Sequence, residues 1–215
     1  MRRGRRRPPV LATISAAPPP GEAPAWRLRR SDYESLGSLL EALRGSRAVL
    51  LTGAEGGKTA AAVGFATVAA AAGWRTALVE CDLARPTLAG SLGVLAAPGL
   101  GEYLRQEASA PRILQSLVLA GPASAGATSP LTCVVAGAPT PGGHRLLASE
   151  GFAHAISKLR NAYDLVVLDG PPLDRDATSL GAVATLVDAT LACVAGAKAP
   201  RKPPVPLAGL VSLEG

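Results

Sequence analysis

Short runs of about five apolar residues alternate along the chain with longer segments of helical periodicity. Gly, Pro and Asp bound these runs, a pattern typical of strands that are buried on both faces of a parallel sheet. We predict strands at 48–52, 76–80, 132–136, 164–169 and 190–195, with a further strand at 207–212. We predict helices at about 31–43, 59–72, 146–162 and 176–187.

This alternation of strands and helices predicts an α/β fold. The expected architecture is doubly wound, with a mostly parallel sheet and helices on both faces. In such sheets the ligand binds at the carboxyl ends of the strands. The 215 residues, of which 48% are hydrophobic, suffice for one domain of this kind and leave little room for two.

Positive charge is concentrated at the start of the chain. Residues 1–30 contain eight arginines and one glutamate, a balance of +7 against +6 for the whole chain, so the remaining residues sum to −1. Because a segment so rich in proline and arginine cannot bury enough apolar surface to fold, we predict that 1–30 is a disordered, juxtamembrane-like tail. The folded domain is then predicted to span 31–215. We expect the tail to bind an anionic membrane rather than nucleic acid, because no aromatic residue is interleaved with the arginines at 2–7.

No segment of the sequence is predicted to cross a membrane. The longest apolar run, 59–74, is shorter than the ~20 residues that span a bilayer. Prolines 8 and 9 follow the first arginines, where a signal peptide would have its apolar core. We therefore predict a cytoplasmic protein that is peripheral at the inner face of the cell membrane.

The cysteines and histidines are predicted to be structural. Cys81, Cys133 and Cys193 each lie in or beside a predicted buried strand, which suits small core residues better than a disulfide framework. His144 and His154 are isolated, and no metal-ligand spacing is present.

Residues 50–59, with the sequence LLTGAEGGKT, predict a phosphate-binding loop between a strand and a helix. Main-chain N–H groups of such a turn wrap an anion, and the helix N-terminus adds positive potential. We expect Lys58 to reach the β- and γ-phosphates and the Thr59 hydroxyl to bind Mg²⁺. The loop glycines that would approach the nucleotide are Gly53, Gly56 and Gly57. This segment points to ATP or GTP.

The loop departs from the G-x-x-x-x-G-K-[ST] pattern. Thr52 holds the place of the first glycine, and Gly53 comes one position late. The alternative interpretation is therefore a glycine-rich turn that carries Lys58 and Thr59 by chance.

Acidic residues follow two further predicted strands. Asp169 ends the apolar run 165–168 and precedes Gly-Pro-Pro, as expected for a Walker B carboxylate that binds Mg²⁺. Glu80 and Asp82 end the run 77–79, and at a spacing of two on an extended segment they project to one side. The predicted metal ligands are Thr59, Glu80 and Asp169. The alternative is that these acids are solvent-facing ends of strands.

Five segments, in order, resemble one known family. ECDLARPTL at 80–88 and PGLGEYL at 98–104 are similar to the DADLRRPTL and PGLSDVL segments of bacterial tyrosine kinases and of capsule or exopolysaccharide co-polymerase ATPases. YDLVVLDGPP at 163–172 resembles the family's YDLVIIDTPP. Residues 136–149 and 188–196 resemble its AG…PPNPAELLAS and DGVLLVVRAG segments.

The resemblance covers about residues 31–212 and implies ATP and Mg²⁺ as cofactors. It assigns the Walker A lysine and hydroxyl to Lys58 and Thr59, the Walker B ligand to Asp169, and the paired acids of the second motif to Glu80 and Asp82. Within that pair, Asp82 matches the acid placed to take the proton of the acceptor tyrosine. Arg85 matches an arginine that either stabilises phosphate charge or bonds the loop.

The resemblance also implies partners. The family's kinase domain works with a membrane chain-length regulator, on the same or a separate polypeptide, to control polymerisation and export of a surface polysaccharide. PVLATI at 9–14 resembles the PVLGTIP that follows the last membrane helix in fused members. The family forms homo-oligomeric rings through an ExxRxxR helix, but the matching residues 34–40 contain no arginine.

Several residues differ from the family pattern. Glu80 replaces the first aspartate of the acidic pair, and Glu55 stands where the family has a glycine. The phosphate loop is about two residues shorter than the family's TSxxPGEGKS. The tyrosines are Tyr33, Tyr103 and Tyr163, with no tyrosine-rich tail, so we do not expect autophosphorylation in trans.

Three functions remain open from the sequence. The first is an ATP-binding, tyrosine-kinase-like domain that regulates capsular or exopolysaccharide biosynthesis and chain length. The second is a degenerate relative that binds the membrane chain-length regulator without catalysis. The third is a ParA/MinD-type positioning ATPase, although the signature lysine expected five residues before Lys58 is Gly53.

Overall fold

The computed structural model describes residues 8–15, 29–53, 57–119, 130–196 and 203–214. The strands are β1 Val10–Ser15, β2 Ala48–Gly53, β3 Thr76–Glu80, β4 Gln115–Leu117, β5 Leu131–Val134, β6 Leu165–Asp169, β7 Ala189–Ala195 and β8 Gly209–Glu214. The helices are α1 Arg30–Ala42, α2 Lys58–Ala71, α3 Leu88–Leu92, α4 Leu100–Leu104, α5 Ala110–Ile113, α6 His144–Leu147, α7 Glu150–Ala162 and α8 Ala177–Ala184.

All the strands join one sheet, in the order β1-β8-β7-β2-β6-β3-β5-β4. Each pairing is parallel except that of β4 with β5, which is antiparallel. The predicted fold class, a doubly wound and mostly parallel α/β sheet, is confirmed. Among the described residues, no helix combines the length and apolar character needed to span a membrane.

The central strand β2 shows why the apolar runs are continuous rather than alternating. Val49 and Leu51 pack into the core on the face that carries α1 and α2. Ala48 and Leu50 pack into the core on the opposite face, against residues of α7 and α8. All four side chains are fully buried, so both faces of the strand require apolar residues.

Helix α2 is rich in alanine because it packs tightly against the sheet. Alanine has the highest helix propensity, and its small side chain allows close approach to the strands. Ala61, Ala62 and Phe65 are fully buried in that contact. The helix is preceded by Gly57, whose φ of 78° lies in the left-handed region that favours glycine. Lys58 is the first residue of α2, the helix that follows β2 in the chain.

The predicted domain boundary at residue 31 is wrong for β1. Val10–Ser15 pairs in parallel with β8, and Ala12 and Ile14 are buried in the core. Every second residue of β1, beginning with Val10, is apolar, and this alternation is typical of a strand. The residues on either side of β1 in the sequence are rich in arginine and proline. Of the predicted tail, residues 1–7 and 16–28 lie outside the described residues, and Arg30 already belongs to α1.

Helix α1 covers the outer edge of β1. The Thr13 N–H donates a hydrogen bond to Ser35 Oγ at 2.8 Å, and the Ser15 N–H donates to Asp32 Oδ1 at 3.0 Å. The other oxygen of Asp32 accepts from the Arg29 N–H at 2.8 Å. Asp32 is 3% exposed. The N–H groups of Thr13 and Ser15 at this edge of the sheet therefore donate to side chains of α1 and are not available to pair with another strand.

Other elements also differ from the sequence prediction, among them the three short helices α3, α4 and α5, which were not predicted. The helix predicted at 146–162 is two helices, α6 and α7, because the Ser149 side chain accepts a hydrogen bond from the Phe152 N–H and caps the start of α7. The edge strand β4 was not predicted, since its three residues are too few to show a periodic pattern.

We predict that Asp32→Ala lowers the free energy of unfolding by about 2 kcal/mol, because it leaves N–H donors of β1 and α1 without a charged acceptor. Urea unfolding followed by circular dichroism measures this change. Glu34→Ala is the matched control, since Glu34 is an exposed acid of the same helix whose ion pair with Arg30 contributes at most about 0.5 kcal/mol. Equal unfolding midpoints for the two variants would contradict the anchoring role of Asp32.

A second prediction concerns acid stability. Hydrogen bonds from the Arg75 side chain and N–H lower the pKa of Asp164 from 3.8 to about 2. Because the folded-state pKa is depressed, this contribution to stability is complete above the ordinary pKa and is lost as the pH falls toward 2. Asp164→Asn should therefore unfold at lower temperature than wild type at pH 7, with the gap closing near pH 2. The exposed Asp174→Asn should show no such gap.

Candidate functional site

The predicted site residues lie at the carboxyl ends of three neighbouring strands. Strand β6 lies between β2 and β3, and Asp169 at its end is in register with Leu51 of β2 and Glu80 of β3. Lys58 begins the helix that follows β2, and Asp82 is two residues beyond Glu80. The crossover connections thus gather the end of β2 and both acidic segments at one edge of the sheet.

Lys58, Thr59 and Asp169 form one hydrogen-bonded cluster. The Lys58 ammonium donates to Asp169 Oδ1 at 2.5 Å and to the Gly170 carbonyl at 2.6 Å. The Thr59 hydroxyl donates to the other carboxylate oxygen, Oδ2, at 2.7 Å. The structure therefore brings the predicted phosphate-binding lysine, the predicted Mg²⁺ hydroxyl and the predicted Walker B carboxylate into direct contact.

This cluster is buried. The side chains of Lys58 and Asp169 are 10% and 1% exposed. Burial lowers the pKa of Lys58, but the charge of Asp169 and its hydrogen bond outweigh that effect, so the pKa lies above its usual value. Lys58 is therefore a permanent cation at neutral pH, held at the start of a helix.

Two of the three predicted loop glycines are described. Gly57 takes a left-handed conformation and packs against the side chain of Leu213 in β8. Gly53 packs so closely on the main chain of Cys193 that a Cβ there would collide with the Cys193 carbonyl oxygen. Gly56 and Glu55 lie outside the described residues.

Glu80 is bonded to the main chain rather than to the lysine cluster. Its Oε1 accepts from the Thr87 N–H at 2.5 Å and from the Leu88 N–H at 2.8 Å, and its Oε2 accepts from the Ala136 N–H at 2.9 Å. The carboxylate is 1% exposed, and burial raises its pKa despite these hydrogen bonds. Of the three predicted metal ligands, Thr59 and Asp169 contact each other, whereas both oxygens of Glu80 are engaged elsewhere.

Asp82 lies in the loop that leads from β3 to α3. Its Oδ1 accepts from the Arg85 N–H at 3.2 Å, which closes a turn within the loop. Partial burial raises the pKa of Asp82, although the positive charge of Lys58 opposes that shift. A carboxylate with a raised pKa is a stronger base than an ordinary surface aspartate. Arg85 itself is exposed.

The donor set fits a nucleotide with Mg²⁺ better than a metal held by protein alone. Among the described residues, no group of three or more His, Cys, Asp or Glu side chains could hold a metal ion. Mg²⁺ is commonly bound through one or two protein oxygens together with substrate phosphates and water. The Thr59 hydroxyl and the Asp169 carboxylate supply two such oxygens beside the Lys58 cation.

Sequence reasoning missed the main-chain groups of the site. These are the Gly170 carbonyl that binds Lys58, the Ala136 N–H that binds Glu80, and the Thr140 N–H that binds the Leu83 carbonyl at 2.7 Å. Main-chain groups leave no residue-type signal. The only available signal was the glycine- and proline-rich segment after β5, which indicates an ordered loop near the site.

Comparison with known proteins shows which proteins the chain is similar to. No family model matches the chain. Over 136 residues, or 62% of this chain, the sequence is 33% identical to the succinoglycan biosynthesis transport protein ExoP of Rhizobium meliloti (strain 1021), and the match spans only 15% of that protein's length.

Solved structures agree with the sequence match. The BceF tyrosine kinase domain is 25% identical with a TM-score of 0.66, and the match covers 86% of this chain and 77% of that domain. The kinase domain of the Escherichia coli tyrosine kinase ETK has a TM-score of 0.78 at 19% identity, over 94% of this chain and 88% of that one, which is a likeness of fold. In sequence the chain is thus similar to part of a succinoglycan transport protein and to a bacterial tyrosine kinase domain, and in fold it is similar to a second tyrosine kinase domain.

Proposed function

We propose that the chain binds ATP with Mg²⁺ and acts as a tyrosine-kinase-like domain that regulates capsular or exopolysaccharide biosynthesis and chain length. The observation that carries this proposal is the buried cluster of Lys58, Thr59 and Asp169 at the start of α2. The 33% identity to a succinoglycan transport protein and the 25% identity to a tyrosine kinase domain support the polysaccharide context and the kinase-like activity.

Each residue of the site has a distinct proposed role. The Lys58 ammonium would bind phosphate oxygens of the nucleotide, together with the main-chain N–H groups before α2. Thr59 and Asp169 would hold Mg²⁺, which when bound neutralises charge on the β- and γ-phosphates. Asp82 would accept the proton of the acceptor hydroxyl, and its raised pKa makes it a stronger base for that transfer.

We propose a membrane-bound partner for the domain. The arginines at 2–7 would bind anionic lipid at the inner face of the cell membrane, where each contributes about 1 kcal/mol. Strand β1 begins three residues after this segment, so a membrane-bound tail would hold the sheet edge near the bilayer. The partner would be a chain-length regulator of polysaccharide export, and a homo-oligomer is a further proposed assembly.

A non-catalytic relative is the second candidate function. The shortened phosphate loop favours it, because the loop departs from the Walker A pattern. The main-chain hydrogen bonds of Glu80 favour it too, because they engage one acid of the pair that would otherwise be free to bind a metal. The positioning ATPase is disfavoured, since Gly53 packs against the Cys193 main chain and leaves no room for a lysine side chain.

Lys58→Ala should weaken Mg²⁺-ATP and Mg²⁺-ADP binding to the full chain by roughly 10- to 100-fold, because a charge-assisted hydrogen bond contributes about 1.5–3 kcal/mol. Isothermal titration calorimetry measures the affinities. The substitution also leaves Asp169 buried without its cation, so thermal unfolding must show that the variant is folded at the assay temperature. Lys158→Ala, which removes an exposed lysine of α7, is the matched control. Unchanged affinity in folded Lys58→Ala would rule out the phosphate site.

Asp82→Asn should leave Mg²⁺-ADP affinity within about twofold of wild type but reduce phosphoryl transfer to a synthetic tyrosine copolymer by roughly 100-fold or more, the usual effect of losing a general base. Glu150→Gln, at an exposed acid of α7, controls for the loss of one negative charge. Wild-type turnover in Asp82→Asn would exclude Asp82 as the base. Nucleotide binding without any turnover in wild type would favour the non-catalytic relative.

A further inference from the structure

One carboxylate joins three separate parts of the chain beside the site. Glu80 ends β3, its Oε1 accepts from Thr87 and Leu88 at the start of α3, and its Oε2 accepts from Ala136 just after β5. The loop between Glu80 and Thr87 carries Asp82. The Glu80 side chain therefore fixes the end of this loop to the sheet, at the point where α3 begins.

The loop between Glu80 and Thr87 is also bonded to the segment that follows β5. The Thr140 N–H donates to the Leu83 carbonyl at 2.7 Å, and Gly143 packs against the Leu83 side chain. Thr140 is held in turn by a hydrogen bond of 3.0 Å from Arg105 to its hydroxyl. Asp82 thus lies between Glu80, whose side chain bonds Thr87, and the anchored residue Leu83.

The length of the residue at position 80 matters for this arrangement. Glutamate is longer than aspartate by one C–C bond, about 1.5 Å. That extra reach allows one carboxylate to bond α3 with one oxygen and the segment after β5 with the other. An aspartate would not span both contacts without movement of the main chain. For a Mg²⁺ ligand the extra methylene brings no such benefit, because the geometry that Mg²⁺ demands is strict.

We infer that Glu80 is a positioning residue, not a metal ligand, and that its hydrogen bonds to Thr87, Leu88 and Ala136 hold the Asp82 loop in the geometry for proton transfer. The inference rests on the proposed function, because Asp82 needs this placement only if the domain transfers phosphate. Glu80 acts through the loop and would not touch the nucleotide.

Two substitutions separate positioning from metal binding. Glu80→Gln keeps the length and an oxygen that can accept from α3, whereas Glu80→Asp keeps the charge but loses the reach. We expect Glu80→Asp to lower kcat by roughly tenfold or more, because the shorter side chain cannot keep the hydrogen bonds to α3 and to Ala136 together. Glu80→Gln should lower kcat less, because the amide keeps one oxygen that can still accept from α3. In both, KM for ATP and the half-saturating Mg²⁺ concentration should stay within about twofold of wild type. A near-normal Glu80→Asp together with a Glu80→Gln that needs tenfold more Mg²⁺ would show a metal ligand instead.

A second measurement does not depend on turnover. Amide hydrogen exchange of the nucleotide-free chain should become faster in Glu80→Asp at Thr87, Leu88 and Ala136, by roughly tenfold, because these N–H groups lose their acceptor. Asp188→Asn is the matched control: Asp188 also accepts main-chain N–H bonds, from Arg47 and Ala48, but at the opposite end of β2. It should leave kcat, and the exchange of those three amides through local opening, as in wild type.

The two measurements separate failure of this inference from failure of the proposed function. Unchanged exchange at the three amides in Glu80→Asp would overturn the positioning role whatever the activity. Faster exchange, in a wild-type chain that binds nucleotide but transfers no phosphate, would support the Glu80 anchor while refuting the kinase-like activity.

Discussion

The ion pair between Lys58 and Asp169 is the interaction on which the site depends. A charged pair so deeply buried is costly to desolvate, and each partner is tolerated only while the other compensates it. The pair also connects the helix after β2 to the end of β6, so it fixes the start of α2 against the sheet. Thr59 and the Gly170 carbonyl complete the hydrogen bonds, which leaves neither charge without a partner.

This pair also constrains how a nucleotide could bind. If Lys58 turned to a phosphate alone, Asp169 would remain buried and uncompensated, at a cost of about 3–5 kcal/mol. A nucleotide that arrives with Mg²⁺ avoids that cost, because the metal can compensate Asp169 while the phosphate compensates Lys58. Under the proposed function, metal and nucleotide would therefore bind together more favourably than either alone.

The central fold could be predicted from the sequence, and the reason is physical. Strands β2, β3 and β6 are buried on both faces, so they require continuous apolar residues that are visible in any single sequence. The ends of these strands are marked by an abrupt change from apolar to polar residues. This change also indicated the acidic residues and the Gly-Lys-Thr turn. The predicted grouping of Lys58, Thr59 and Asp169 followed from the Gly-Lys-Thr motif and the strand-end aspartate together with parallel topology.

The rest depended on contacts distant in sequence. Strand β1 is stable because Asp32 and Ser35 bond its outer edge, and no local pattern in an arginine- and proline-rich segment indicates those partners. The break between α6 and α7 depends on one side-chain cap at Ser149. The partners of Glu80 are main-chain groups that only the folded sheet brings within reach.

The substitution of glutamate for aspartate at position 80 is best understood together with the buried ion pair. Asp169 and Glu80 lie in register on adjacent strands, and two ionised carboxylates in a shared metal shell would both need compensation by one divalent ion. The structure avoids that competition, because three N–H groups satisfy Glu80 and the Lys58 ammonium satisfies Asp169. Each acid therefore has its own partners, main-chain N–H groups for Glu80 and the Lys58 ammonium for Asp169. The longer side chain is thus compatible with the proposed phosphate site, in which Glu80 would bond the loop that carries Asp82 and Asp169 would be the carboxylate beside the metal.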